Sequence, residues 1–99
     1  MVEKFSQSAI EISLKELNKN SDNAWVIKED RLHREFKFPD FISAFGFMTK
    51  VAILSERSNH HPEWSNKYNK VAISLTTHEA GGISNRDFEL ADEISRLVS

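Results

Sequence analysis

Three of the four histidines lie between predicted elements rather than inside them. His60 and His61 stand directly before Pro62, and His78 follows a strand-like run. Loops at strand ends commonly carry catalytic side chains. An imidazole with a pKa near about 6.5 can donate a proton or accept one at neutral pH. The sequence therefore favours acid–base chemistry such as the elimination of water, and functionless surface histidines are the alternative.

Three imidazoles with one open position are also a pattern of catalytic zinc sites. Neighbouring side chains of an extended segment diverge, and Pro62 biases His61 towards an extended backbone. His60 and His61 are therefore poorly arranged to hold one ion. We predict neither a metal nor a cofactor.

Other polar and aromatic residues are weaker candidates. Glu56 is expected near a helix C-terminus, where a negative charge is slightly unfavourable, so a hydrogen bond to a catalytic histidine would explain its position. A solvated glutamate is the alternative. Trp64 is expected either to wall a flat aromatic ligand or to be a half-buried strand residue. Capping of the last helix accounts for Asp87, and His33 is expected to be solvated.

Composition narrows the class of protein. The 99 residues are enough for one domain, which we take as 1–99, and the lack of cysteine excludes disulfides and thiolate metal sites. The 13 basic and 15 acidic residues leave a net charge of -2, and the basic residues are scattered, so nucleic acid is not expected as a direct ligand. No apolar run resembles a signal peptide or a membrane span, so we expect a cytoplasmic protein.

The hydrophobic pattern predicts seven elements in the order α-β-β-α-β-β-α. The hairpins are too short for parallel crossovers, so we expect an α+β fold, with three helices packed on one face of a four-stranded antiparallel sheet. A capping box at Ser84–Asp87 should open the last helix. Leu90, Ile94 and Leu97 are expected to form the buried side of this helix. The earlier helices are predicted over 8–18 and 41–54, and the strands over 24–27, 32–38, 62–68 and 71–77.

The predicted helix 41–54 is apolar around more of its circumference than one core-facing stripe requires. The excess predicts a subunit interface, although a deeply buried helix would look similar. The first stripe is Phe41, Phe45, Met48 and Ala52, and the second is Ala44, Phe47, Val51 and Leu54.

Several motifs over residues 24–97 closely resemble the pterin-4a-carbinolamine dehydratase family. The combination of His-His-Pro with a downstream Thr-His-Glu is the most specific part. The matching segments are Ala44–Ala52, Glu56, Asn59–Trp64, Tyr68–Val71, Leu75–Glu79 and Gly82–Ser84.

This resemblance implies dehydration of 4a-hydroxytetrahydrobiopterin to quinonoid dihydrobiopterin, the step that recycles the pterin after an aromatic amino acid hydroxylase has used it. It implies that His60 and His78 exchange protons with the substrate while His61 chiefly binds it. Substrate contacts are expected from the segments Asn59–His61 and Thr76, Thr77, His78 and Glu79. Family members often have Asp at the position of Asn59, so any contribution from that charge is absent here.

The resemblance also implies a four-stranded antiparallel sheet covered by three helices, and a homodimer or homotetramer that packs through the helix 41–54. Some animal members are dimerisation cofactors of a homeodomain transcription factor and bind its helical segment on the same surface. A helical protein partner is therefore the alternative to catalysis.

Overall fold

A computed structural model describes residues 2–20 and 24–99. Its elements follow the predicted order, and the predicted boundaries lie within a few residues of the observed ones. The largest difference is in the second helix, which runs four residues beyond its predicted end at 54. The elements are α1 (Gln7–Leu17), β1 (Val26–Lys28), β2 (Arg31–Lys37), α2 (Phe41–Ser58), β3 (Glu63–Lys67), β4 (Lys70–Leu75) and α3 (Asn85–Leu97), with a short 3₁₀ turn (His78–Ala80) before α3.

The four strands form one antiparallel sheet in the order β1-β2-β4-β3. Two hairpins, β1-β2 and β3-β4, lie side by side because β2 pairs with β4. The predicted α+β fold is confirmed. Since β3 begins and β4 ends at the same edge, the loops that flank these two strand ends are neighbours.

The core lies between one face of the sheet and the helices. Alternate residues of β2 and β4 point into it, because successive strand side chains project to opposite faces. α1 contributes only partly buried residues, whereas α2 and α3 contribute fully buried ones. The main contributors are Leu32, Phe36, Val71, Ile73 and Leu75 from the sheet and Ala44, Phe47, Val51, Leu90, Ala91 and Ile94 from the helices.

The two apolar stripes predicted on α2 have different environments. Ala44, Phe47 and Val51 of the second stripe are buried against the sheet, whereas Phe41 and Phe45 of the first are 45% and 55% exposed. The core therefore accounts for the second stripe and for Met48 of the first, which is partly buried against it, but not for Phe41 and Phe45. No helix in the described part of the chain is both long and apolar enough to cross a bilayer.

Capping contacts define both ends of α2. The backbone N–H of Ser43 donates to the Asp40 carboxylate over 2.8 Å and lowers the pKa of that carboxyl below its ordinary value. At the other end Asn59 adopts a left-handed conformation (φ 52°), and the N–H of His60 donates to the carbonyl of Ser55. This cap fixes the direction in which the chain leaves α2 and enters the loop that carries His60 and His61.

The face of the sheet opposite the core carries three adjacent lysines. Lys70 on β4 is directly opposite Lys37 on β2 and Lys67 on β3, so the three exposed side chains form a row across the sheet. The prediction that basic residues do not cluster on one face is therefore wrong for this row, because strand register brings together residues that are far apart in sequence.

Candidate active site

Two loops at one edge of the sheet hold the candidate residues. The loop from Asn59 to Pro62, here called the histidine loop, joins α2 to β3. The segment from Thr76 to Glu79 follows β4. The pairing of Glu63 with Ser74 places both loops at this edge. The two segments, which precede and follow the β3-β4 hairpin, thus become neighbours.

His60 is held by a buried carboxylate. Its Nε2 lies 2.6 Å from Oδ1 of Asp87, and the two side chains are 10% and 0% exposed. The other oxygen of Asp87, Oδ2, accepts from the hydroxyl of Thr77 (2.8 Å) and from the backbone N–H of Ser84 (2.9 Å). A carboxylate with this many donors has a fixed orientation, and it fixes the imidazole ring in turn.

Asp87 therefore has a larger role than the sequence indicated. The predicted capping box is present, since Ser84 caps α3 and the side chain of Asp87 accepts from the Ser84 backbone. However, the prediction that capping accounts fully for Asp87 is wrong. One oxygen serves the cap and the other holds His60, so the start of α3 is tied directly to the histidine loop.

His61 has its own carboxylate on the surface. Its Nε2 lies 2.7 Å from Oε1 of Glu56, one turn before the end of α2. Both side chains are more than half exposed, so solvent weakens this interaction relative to the buried pair at His60. The contact supplies a partner that explains the position of a negative charge near a helix C-terminus.

His78 opens the short 3₁₀ turn and is 81% exposed at its side chain. Its Nε2 lies 4.0 Å from Oε2 of Glu63, the first residue of β3. In all three site histidines the atom nearest a carboxylate is Nε2. For none of them does Nδ1 have a hydrogen-bond partner among residues 2–20 and 24–99.

The remaining predicted contacts differ in how accessible they are. Asn59 is exposed at the end of α2, Thr76 is half-buried, and Glu79 is exposed and accepts from Arg86 over 3.1 Å. Thr77 is 1% exposed, and its hydroxyl and both of its main-chain groups already have partners within the chain. Substrate contact by these residues stays a prediction.

Trp64 lies on the edge strand β3, opposite Ile73 and therefore on the core-facing side of the sheet, yet it is 37% exposed. Both expectations for this tryptophan, a half-buried strand residue and an aromatic wall, are compatible with that position.

The expectation of a solvated His33 is wrong. The side chain is 12% exposed, and its Nδ1 lies 2.8 Å from the hydroxyl of Ser74 on the neighbouring strand. The alternation of β2 placed His33 on the polar face correctly, but register on that face gives it a hydrogen-bonding neighbour. Because His33 lies on β2, outside the two loops of the candidate site, its substitution is a suitable control for substitutions of the site histidines.

A groove of about 910 Å³ lies elsewhere, between α1 and α3, and none of its lining residues belongs to the candidate site. Within residues 2–20 and 24–99 no three His, Asp or Glu side chains are gathered as a metal would require. The candidate site consists of two loops that carry three histidines, each with a carboxylate near its Nε2.

The family model described as pterin 4 alpha carbinolamine dehydratase matches residues 3–97. The chain belongs to the pterin-4a-carbinolamine dehydratase family. A relative from Solibacter usitatus (strain Ellin6076), provisionally named a pterin-4-alpha-carbinolamine dehydratase, is 50% identical over 99 residues, covering 100% of this chain and 99% of its own. A relative of the same provisional name from Prochlorococcus marinus (strain NATL2A) is 54% identical over 76 residues, covering 77% of this chain and 80% of its own.

Two solved structures are similar to this family member. The crystal structure of a transcriptional coactivator/pterin dehydratase from Brucella melitensis is 33% identical and superposes with a TM-score of 0.88, covering 97% of this chain and 99% of that one. A pterin dehydratase-like protein identified as a RuBisCO assembly factor in the alpha-carboxysome is 22% identical, with a TM-score of 0.66, covering 77% of this chain and 90% of that one. The second likeness concerns the fold alone.

Proposed function

We propose that this pterin-4a-carbinolamine dehydratase family member dehydrates 4a-hydroxytetrahydrobiopterin to quinonoid dihydrobiopterin, by histidine acid–base catalysis and in pterin recycling in the cytoplasm. The observation that carries the proposal is the buried Asp87–His60 pair beside the loop of His78. A surface histidine without function needs no fully buried carboxylate. A catalytic histidine must keep one ring orientation while it gives and takes protons, and a buried carboxylate provides that orientation.

The reaction requires two proton movements. An acid protonates the 4a-hydroxyl group, the C4a–O bond breaks and water leaves with the bonding electrons. A base removes the proton from N5, and the electrons of that N–H bond form the new double bond between N5 and C4a. No net oxidation occurs, and the proton given up by the acid is balanced by the one that the base takes.

In this proposal His60 and His78 are the exchangeable acid and base, and His61 chiefly binds substrate. Because Nε2 of His60 faces Asp87, its Nδ1 is the atom left to exchange a proton with the pterin. Main-chain and side-chain groups of the segments 59–61 and 76–79 would pair with the donors and acceptors of the pterin ring, and Trp64 would stack on its face.

The test is dehydration of chemically generated 4a-hydroxytetrahydropterin, followed by stopped-flow absorbance with a chelator present. Wild type should accelerate the reaction. The double variant His60→Ala/His78→Ala should lose activity by at least about 10²–10⁴-fold, the range expected for positioned acid–base groups. His33→Ala is the matched control and should keep wild-type activity, since His33 lies outside the site.

If wild type and His33→Ala keep their turnover in the presence of the chelator and the double variant loses it, the result supports a metal-free histidine dehydratase. Turnover abolished by the chelator in wild type would instead favour a metal-dependent enzyme. A well-folded wild type that does not accelerate dehydration would contradict the proposed activity.

A second candidate function is a protein-binding module. The exposed apolar residues of α2 favour it, because Ile42 and Ile53 are 81% and 61% exposed on a helix whose other face is fully packed. The name of the Brucella melitensis structure includes transcriptional coactivator. The same surface of α2 would serve self-association into a dimer or tetramer, and a helical partner protein would compete with a second copy for it.

A further inference from the structure

Each of the three site histidines has one carboxylate nearest to it. Asp87 accompanies His60 and Glu56 accompanies His61, at 2.6 and 2.7 Å. The third carboxylate is Glu63, whose Oε2 lies 4.0 Å from Nε2 of His78. Glu63 lies in the segment Asn59–Trp64 that resembles the family, but the sequence assigned it no role.

The sheet itself determines the position of Glu63. It is paired with Ser74 on β4, so the two side chains project to the same face. His78 follows Ser74 by four residues, at the beginning of the 3₁₀ turn. The strand ladder therefore brings the start of β3 close to the end of β4, and His78 lies three residues beyond that end.

Arg31 holds the other oxygen of Glu63. Its Nε lies 2.7 Å from Oε1, and its Nη1 donates to the carbonyl of Glu29 in the β1-β2 turn over 3.3 Å. The Nε atom is shielded from solvent and makes no hydrogen bond among the described residues, so its contact with Glu63 is ionic. A shielded guanidinium nitrogen is costly without an opposite charge, so Glu63 is the group that compensates it.

The two oxygens of Glu63 thus have different neighbours, since Oε1 contacts Arg31 and Oε2 faces His78. The short contact to Arg31 orients the carboxylate. The contact to His78, at 4.0 Å, is longer than a hydrogen bond and acts on the ring through charge, so His78 is less committed to Glu63 than His60 is to Asp87. A less committed imidazole can pass its proton to a ligand and recover it with little rearrangement. That behaviour suits the histidine that faces solvent.

We infer that Glu63 is a positioning residue for His78, and that Arg31 holds Glu63 in place for this purpose. The inference rests on the proposed function for its effect on catalysis. It does not rest on it for the orientation of the ring, which can be measured without any substrate.

The first measurement is the tautomer of His78, read from long-range ¹H–¹⁵N NMR spectra above about pH 8, where an ordinary imidazole is neutral. In wild type the proton should lie mainly on Nε2, facing Glu63. In Glu63→Gln the population with the proton on Nε2 should fall, because a neutral amide is a weaker acceptor than a carboxylate. Glu35→Gln, which removes another exposed carboxylate from the same sheet face, should leave His78 unchanged.

The second measurement is the kinetics of dehydration. Glu63→Gln should lower kcat by about 5-fold while changing KM by less than about 2-fold, the scale expected of a partly exposed charge acting through a catalytic group. Arg31→Gln should lower kcat similarly, and Arg31→Gln/Glu63→Gln should be no slower than Glu63→Gln, because the two residues act through one contact. Glu35→Gln should match wild type.

The outcomes separate this inference from the proposed activity. If wild type is active and Glu63→Gln changes neither the His78 tautomer nor kcat, the inference is overturned and the proposed activity stands. If wild type is inactive but Glu63→Gln shifts the tautomer, the positioning role stands and the activity fails. Additive losses in the double variant would overturn the role of Arg31.

Discussion

At the scale of single residues, Asp87 joins folding and site geometry in one side chain. It is fully buried and accepts hydrogen bonds through both oxygens, from His60 on one side and from Thr77 and Ser84 on the other. An asparagine has the same shape but only one accepting atom. Its amide nitrogen must face either the donors of Thr77 and Ser84 or Nε2 of His60, and in the second case the imidazole must change tautomer so that Nε2 accepts. Either way the charged acceptor of His60 is lost. A buried donor left without an acceptor costs about 1–3 kcal/mol.

We therefore predict that Asp87→Asn lowers the free energy of unfolding by about 1–3 kcal/mol and kcat by at least about 10-fold. Urea denaturation and the stopped-flow assay measure the two effects. Asp92→Asn, on the same helix but half-exposed and paired with Arg96 at the surface, should stay within about 0.5 kcal/mol of wild type. Equal effects of the two variants would contradict the role assigned to Asp87.

Sequence reasoning found the histidines but not the full set of their partners. His60, His61 and His78 stand out because they lie in loops and are adjacent to Pro62 or to a strand end. Glu63 does not stand out, because its contact with His78 depends on strand register. Asp87 was assigned to a cap because spacing within one helix is local information, whereas its contact with His60 spans 27 residues of sequence.

At the scale of elements, the order of helices and strands followed from periodicity, but register and turn geometry did not. The β1-β2 turn illustrates this limit. Its two central residues, Glu29 and Asp30, both have positive φ values, 53° and 61°, as in a type I′ turn. Asn-Gly is the preferred pair at these positions, so Glu-Asp gives no sequence signal for the turn that forms.

The substitution Glu29→Asn/Asp30→Gly should therefore raise the free energy of unfolding by about 1 kcal/mol, because the native backbone would no longer be strained. Gly81→Ala makes the opposite change, because it removes a glycine from a position with positive φ. Gly81 has φ 79°, and an added Cβ would contact nothing within 4 Å, so only backbone strain would act. That variant should lose about 1 kcal/mol. A turn variant no more stable than wild type in urea would contradict this account.

At the scale of the whole molecule, α2 is the element that a single chain leaves incompletely covered. Its inner stripe is packed, while Phe41, Ile42, Phe45 and Ile53 of its outer side are 45%, 81%, 55% and 61% exposed. The rings of Phe41 and Phe45 contact each other, with centroids 5.8 Å apart, so part of this surface is a continuous aromatic patch. Exposed apolar patches rimmed by polar residues mark association sites.

We predict that wild type self-associates through α2 and that Phe45→Glu weakens this association by at least about 10-fold in Kd, since a charge at the centre of an apolar interface must be desolvated. Sedimentation velocity over a range of concentrations measures the change. Ile12→Glu is the matched control, because it places the same charge on another exposed apolar side chain, 71% exposed, that lies on α1 and not on α2. It should leave the oligomer intact.

The same pair of variants distinguishes the two uses of the α2 surface. If wild type is a dimer or tetramer and only Phe45→Glu dissociates it, a second copy covers the outer stripe, as the symmetric association of identical patches requires. If wild type is monomeric at every concentration, self-association is wrong and the stripe is left for a different partner. Retained dehydration by monomeric Phe45→Glu would further place catalysis within one chain, because His60, Asp87, His78 and Glu63 all come from the same copy.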